Sequence, residues 1–172
     1  LELKTFAEAR PDWSFVGVDP SAPMLDLAKH VLGPLGSQVA WVHGYVEHAP
    51  PGPFDGATCL LTLHFLPRPE RLRVLQAIRR RLSPGAPLII AHHSIPEGAA
   101  SDRWLTRSAA FAAGPTPDPG QVAAAASGLA RHLPLLSTHD EEALLREAGF
   151  CDVALFYAGF SFRGWVAVAR DT

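Results

Sequence analysis

The stretch Phe15-Val16-Gly17-Val18-Asp19-Pro20-Ser21 decides how this chain folds. A short apolar run stops abruptly at an acid, and a proline and a helix-capping residue follow. Apolar runs bounded by turn formers read as buried strands. Ser21 can cap the helix that follows, and Pro23 is tolerated in its first turn. The order is therefore strand, Asp19, helix. Where such strands form a doubly wound sheet, ligands bind beyond their carboxyl ends. An acid there suits a ribose diol, because each carboxylate oxygen can accept a hydroxyl proton in a directional, charge-assisted bond. An ordinary acid in a strand-to-helix turn is the plainer alternative.

Working outward, residues 1–10 have helical spacing, with Leu3, Phe6 and Ala7 on one side, and stop at Pro11. The helix after Asp19 spans 22–32. Met24, Leu25, Ala28, Val31 and Leu32 give it a broad apolar face, and Gly33-Pro34 ends it. A second strand covers 39–43 and leads into Gly44-Tyr45-Val46-Glu47. Pro50, Pro51, Gly52 and Pro53 mark a loop. A third strand over 57–63 closes at His64-Phe65-Leu66-Pro67. The helix over 69–82 turns Leu72, Leu75, Ile78 and Leu82 inward, and Arg79, Arg80 and Arg81 suit its carboxyl end as solvated cations. A fourth strand over 87–91 delivers His92-His93-Ser94 to its carboxyl end.

Residues 96–136 differ. They are rich in alanine, glycine and proline and have no strand pattern. Two helices are predicted, at 101–113 and 120–132, separated by Gly114-Pro115-Thr116-Pro117. We read the segment as a helical insertion that covers the site as a lid. Thr138-His139-Asp140-Glu141 has the form of a capping box for a helix that reaches Ala148 and ends at Gly149. Strands over 153–158 and 162–169 form a terminal antiparallel hairpin. Alternating strands and helices closed by a hairpin define an α/β open sheet, mostly parallel with an antiparallel edge, in a single domain over 1–172.

Composition narrows the function classes. The chain has 172 residues, 48% hydrophobic and 19% charged, so it can bury a sizeable core. A net charge of −2 offers no basic excess for nucleic acid or an anionic membrane. No apolar run reaches transmembrane length, and no signal peptide opens the chain. Cys59 and Cys151 read as reduced core thiols of a cytoplasmic protein, with one disulfide left open. The abundance of alanine, proline, glycine and arginine suits a bacterial source.

Five stretches in order resemble the class I S-adenosylmethionine-dependent methyltransferases. Val16 to Ser21 with Met24-Leu25 is similar to the family's acidic motif, and Val42-His43-Gly44-Tyr45 to its adenine-side motif. Phe54-Asp55 through Leu63-His64-Phe65-Leu66 is similar to the next strand and its loop. Leu82 to Leu88 resembles the turn before the following strand, and Glu147-Ala148-Gly149-Phe150 the lead into the hairpin. The resemblance implies a Rossmann-like, doubly wound sheet with S-adenosylmethionine as cofactor and S-adenosylhomocysteine as product. It places Asp19, Pro20, Met24, Gly44, Tyr45, Val46, Leu61, Thr62 and His64 around the donor. Thr62 to Leu66, Phe160-Ser161-Phe162 and the long insertion are similar to the carboxy-S-adenosylmethionine synthase branch, whose basic motif late in the insertion has no clear match here.

Two departures stand out. The family's first strand and glycine-rich loop are absent from this sequence, so we expect the natural protein to extend upstream of Leu1 by at least that strand and turn. Tyr45 stands where the family often has an acid, and it can stack on adenine or bond through its hydroxyl.

Methyl transfer from a sulfonium is an in-line displacement, so alignment and a water-poor pocket matter more than acid–base groups. A base is needed only for an acceptor that must lose a proton. His92 or His93 suits that role, and because neighbours on a strand point to opposite faces, one of them is expected to act and not both. No cluster of ligands has zinc-like spacing, so no metal is expected. Trp104, Phe111 and Tyr157 could line an acceptor pocket or simply pack the insertion. The expected partner is a small-molecule acceptor, with homodimerisation left open. Two other classes compete: a nicotinamide dehydrogenase, which also places an acid after a strand, and a non-catalytic nucleotide-binding or dimerisation scaffold.

Overall fold

In the computed structural model, which describes residues 2–96 and 101–171, the chain divides into two compact units, Leu1–Pro51 and Gly52–Thr172. In the first unit, α1 (Glu2–Ala9) precedes β1 (Phe15–Asp19), α2 (Ala22–Leu32) and β2 (Val39–His43). β1 and β2 pair in parallel, with Asp19 opposite His43. Ser21 caps α2 and Pro23 sits in its first turn. Leu25 and Leu32 are buried, but Met24, Leu27 and Val31 are exposed, so the buried stripe of α2 is narrower than its apolar pattern.

The second unit holds β3 (Ala57–Leu60), α3 (Arg68–Arg79), β4 (Pro87–His93), α4 (Ser101–Ala112), α5 (Pro119–His132), α6 (Thr138–Glu147), β5 (Phe150–Gly159) and β6 (Phe162–Ala169). Its sheet runs β3-β4-β6-β5. β3 and β4 are parallel, and the other two pairings are antiparallel. Leu63, Leu75, Leu88, Leu144, Leu145, Phe150 and Trp165 are wholly buried. Side chains of this size contribute about 1.5–3 kcal/mol each on leaving water. A separate small core joins α4 and α5 through Leu105, Ala109, Val122 and Ala126, with Ile95 and Leu135 against it. That core accounts for the insertion, except residues 97–100, which lie outside the described residues.

Several boundaries differ from the sequence reading, each for a physical reason. β3 stops at Leu60 rather than Leu63, because Leu61 takes a left-handed backbone (φ 58°) and a tight turn over Leu63–Phe65 follows. β4 continues through His92 and His93, because β6 goes on pairing with it: His92 faces Arg163 and His93 faces Phe162. β5 begins at Phe150, three residues early. A bulge at Asp152 (φ 48°) shifts its register without ending the ladder. α6 is capped by Ser137, not Thr138. A bridge between Ile95 and Ser137 pins the chain there, and Ser137 Oγ accepts the Asp140 N–H at 3.1 Å. Cys59 and Cys151 sit on β3 and β5, the opposite edges of a four-stranded sheet. Strands spaced about 4.8 Å apart put them roughly 14 Å from each other, too far for a disulfide. No helix among the described residues is long and apolar enough to cross a membrane.

Candidate functional site

Asp19 closes β1, and its backbone carbonyl accepts the Gly44 N–H at 3.0 Å, which ties the ends of β1 and β2 together. Ser21 N–H donates to Asp19 Oδ1 at 2.7 Å, fixing the carboxylate in the turn. Oδ2 has no protein partner among the described residues. The His43 ring donates from Nε2 to the Pro20 carbonyl at 3.0 Å and holds that turn. Gly44 has a packing reason. A Cβ there would stand 2.6 Å from His48 Nδ1, and that nitrogen accepts the Tyr45 N–H at 3.0 Å. Tyr45 therefore projects outward, 64% exposed, at the start of the turn over Val46–His48. Asp19, Pro20, Gly44, Tyr45 and Val46 thus occupy the carboxyl ends of one parallel strand pair, with Met24, 52% exposed, in the first turn of α2. A nucleoside fits such a rim: a carboxylate oxygen for a ribose hydroxyl, and flat or flexible apolar side chains for a base.

The second unit gathers the histidines. Leu61 and Thr62 are exposed after β3, and Thr62 Oγ donates to the Leu60 carbonyl at 3.1 Å. His64 is buried, its ring 5.2 Å from that of His93 and 6.1 Å from that of His92. As alternation on a strand requires, the adjacent histidines of β4 part company. His92 is wholly enclosed and donates from Nε2 to Glu141 Oε1 at 2.9 Å. His93 is half-buried, and its Nδ1 lies 3.0 Å from Ser161 Oγ. Among the described residues, no three His, Cys, Asp or Glu side chains form a set that could hold a metal ion.

Glu141 centres a buried charge network that the sequence reading missed. It pairs with Arg71, and both side chains are fully enclosed. Arg71 also donates to the carbonyls of Leu66 at 2.8 Å and Pro134 at 2.6 Å. The network joins α3, α6, β4 and the end of the insertion. A signal was available: Arg71 shares one helical face with the buried Leu75 and Ile78, and Glu141 shares one with Leu144 and Leu145. Leu72, read as inward, is only half-buried. Arg163, also buried, donates to the carbonyls of Ser94 at 3.0 Å and Phe160 at 3.1 Å, fastening the turn that carries Ser161.

Burial, reinforced by His93, His92 and Arg71, lowers the His64 pKa from 6.5 to about 4. Burial and then His92 lower that of His93. The sign for stability follows from linkage. Above pH 6.5 neither the folded nor the unfolded chain protonates His64. Below it the unfolded chain takes the proton and the folded one refuses it until about 4. Stability is therefore expected to fall as pH drops from 6.5 toward 4, by about 1–2 kcal/mol at pH 5, and His93 adds in the same direction. Urea unfolding at pH 7.5 and pH 5 measures it. His64→Gln should flatten the difference, and an equally steep loss in that variant would assign it to other groups.

The chain has the fold of solved methyltransferases, among them an S-adenosylmethionine-dependent one and an O-methyltransferase. Residues 2–85 match the family model of a methyltransferase domain. Among solved structures, the S-adenosylmethionine-dependent methyltransferase SibL in its apo form superposes with a TM-score of 0.70 at 17% identity, covering 99% of this chain and 48% of that one. PigF with S-adenosylhomocysteine gives 0.65 at 18%, covering 94% and 45%. An O-methyltransferase family 2 protein from Planctomyces limnophilus in complex with apigenin gives 0.68 at 13%, covering 96% and 45%. The chain thus spans about half the length of these proteins. No curated protein is similar enough in sequence to count as a relative.

Proposed function

We propose that this chain carries out S-adenosylmethionine-dependent methyl transfer to a small-molecule acceptor, releasing S-adenosylhomocysteine. The observation that carries the reading is Asp19. It stands at the carboxyl end of a parallel strand, is held by the Ser21 N–H, and keeps Oδ2 open to a ribose hydroxyl. The donor brings an already activated methyl group on a sulfonium. Asp19 orients its ribose, Tyr45 and Met24 shield its base, and the backbone of Val46 reads the adenine edge, since the Tyr45 backbone is held by His48. Leu61, Thr62 and His64 border the methionine part. His93 meets the acceptor, since His92 is enclosed and committed to Glu141.

Calorimetric titration with S-adenosylhomocysteine and with NAD tests the class. Saturable binding of the first and none of the second is expected, and the reverse would replace the reading with a dehydrogenase. On an acceptor that must lose a proton, His93→Ala should lower turnover by about 10²–10⁴-fold, the usual scale for general acid–base help. His92→Ala should instead lower the melting temperature. Full activity of His93→Ala across pH would make both histidines structural.

A further inference from the structure

His48 ends the tight turn over Val46–His48, at the same rim as Asp19, Gly44 and Tyr45, and its side chain is exposed. Its Nδ1 accepts the Tyr45 N–H at 3.0 Å, and its own N–H donates to the Tyr45 carbonyl at 2.9 Å. One residue therefore engages both backbone polar groups of Tyr45. The Tyr45 side chain has little else to lean on. Its hydroxyl has no partner among the described residues, and its ring centroid lies 6.4 Å from that of His48.

The state of the His48 ring follows from its partner. A peptide N–H only donates, so Nδ1 is a bare acceptor. The neutral ring then carries its proton on Nε2, where an exposed side chain meets water. The ring also stands against Gly44, where a Cβ would be 2.6 Å from Nδ1. Gly44 in turn donates its N–H to the Asp19 carbonyl at 3.0 Å. Asp19 is thus tied to Gly44 by one hydrogen bond, and the next residue, Tyr45, is tied down by His48.

We infer that His48 is a positioning residue: its bare Nδ1 holds Tyr45 in register with Asp19, so that one nucleoside meets the carboxylate with its ribose and the phenol ring with its base. This role rests on the proposed donor site. His48 needs no contact with the ligand to act. Without the ring acceptor the Tyr45 N–H turns to water and the phenol ring samples more orientations, which the ligand must then freeze at the expense of affinity. What the turn requires is an acceptor two bonds beyond Cβ, and not a histidine as such. Asparagine supplies one, because its Oδ1 is as far along the side chain as Nδ1. Glutamine places its oxygen one bond further out, and alanine has none.

Two measurements test the inference. In the ¹⁵N-labelled chain without ligand, a scalar coupling across the hydrogen bond should connect the Tyr45 amide nitrogen with His48 Nδ1. A Tyr45 amide with no such partner overturns the inference before any variant is made. Calorimetric titration with S-adenosylhomocysteine then compares wild type with three variants. His48→Ala and His48→Gln should bind it about threefold to tenfold more weakly, the scale of one neutral hydrogen bond. His48→Asn should bind it as the wild type does. Wild-type affinity in folded His48→Ala or His48→Gln overturns the positioning role. So does equal weakening in all three variants, which would assign the effect to the imidazole itself. Failure of the wild-type chain to bind the ligand defeats the donor site and this role with it, and a loss confined to the alanine and glutamine variants cannot be mistaken for that.

Discussion

Glu141→Leu is expected to destabilise the chain by about 3–5 kcal/mol, the scale for stranding one member of a buried ion pair. Native domains hold only about 5–15 kcal/mol in total, so this change removes a large part of the margin. Arg71 and Glu141 are both fully enclosed, and without the carboxylate a guanidinium stays in the interior with only two carbonyls for company. His92 Nε2 loses its acceptor as well. Glu141→Gln should cost less, since its amide oxygen still accepts from both neighbours while the charge is lost. The double variant Arg71→Met with Glu141→Leu removes both charges and should recover part of the loss. It should remain short of wild type, because the carbonyls of Leu66 and Pro134 then lack a donor, at about 1–3 kcal/mol for each buried unpaired group. Urea unfolding of the four proteins measures the series. A cost under about 1 kcal/mol for Glu141→Leu would show the pair to be solvated, as surface pairs are.

That network marks where sequence reasoning ran out. The β1 stretch was legible because its information is local: an apolar run, an acid, a proline and a cap are all within seven residues, and each acts on its own neighbours. The parting of His92 and His93 was legible for the same reason, since a strand alternates whatever it packs against. Glu141 was read only as part of a capping box, and Arg71 not at all. Their partners lie 70 residues apart in sequence, and pairing at that distance leaves no local trace beyond a charge on an apolar helix face. Ser161 reaches His93 across nearly the same separation, and serines are too common to single out. β3 was read too long because a positive φ at Leu61 ends it with no warning from the side chain, and β5 too short because its ladder runs on through the bulge at Asp152. Leucine and aspartate carry no mark of a left-handed backbone in the way glycine does.

Asp19→Ala is expected to weaken S-adenosylhomocysteine by at least about tenfold, the equivalent of 1.4 kcal/mol. Hydrogen bonds to a charged group contribute about 1.5–3 kcal/mol each, and neighbouring ones do not add. The geometry makes the variant series sharper than the bare idea of an acid beside a ribose. Oδ1 is already committed to the Ser21 N–H, so the ligand depends chiefly on Oδ2. Asp19→Asn can keep the Ser21 contact through its own oxygen and present an amide where Oδ2 stood, losing charge but not the turn. Its affinity should fall between wild type and alanine, with an unchanged melting temperature. Asp19→Ala loses the ligand contact and the acceptor for Ser21 together, so its affinity should be lowest and its stability lower by about 1 kcal/mol. Affinity and stability then move apart in one variant and together in the other. That pattern distinguishes a ribose-binding carboxylate from a turn-forming one, because a purely structural acid would leave affinity untouched in Asp19→Asn. Calorimetric titration beside thermal melts on the three proteins decides between them, and unchanged affinity in folded Asp19→Ala would take the donor site away from β1 altogether.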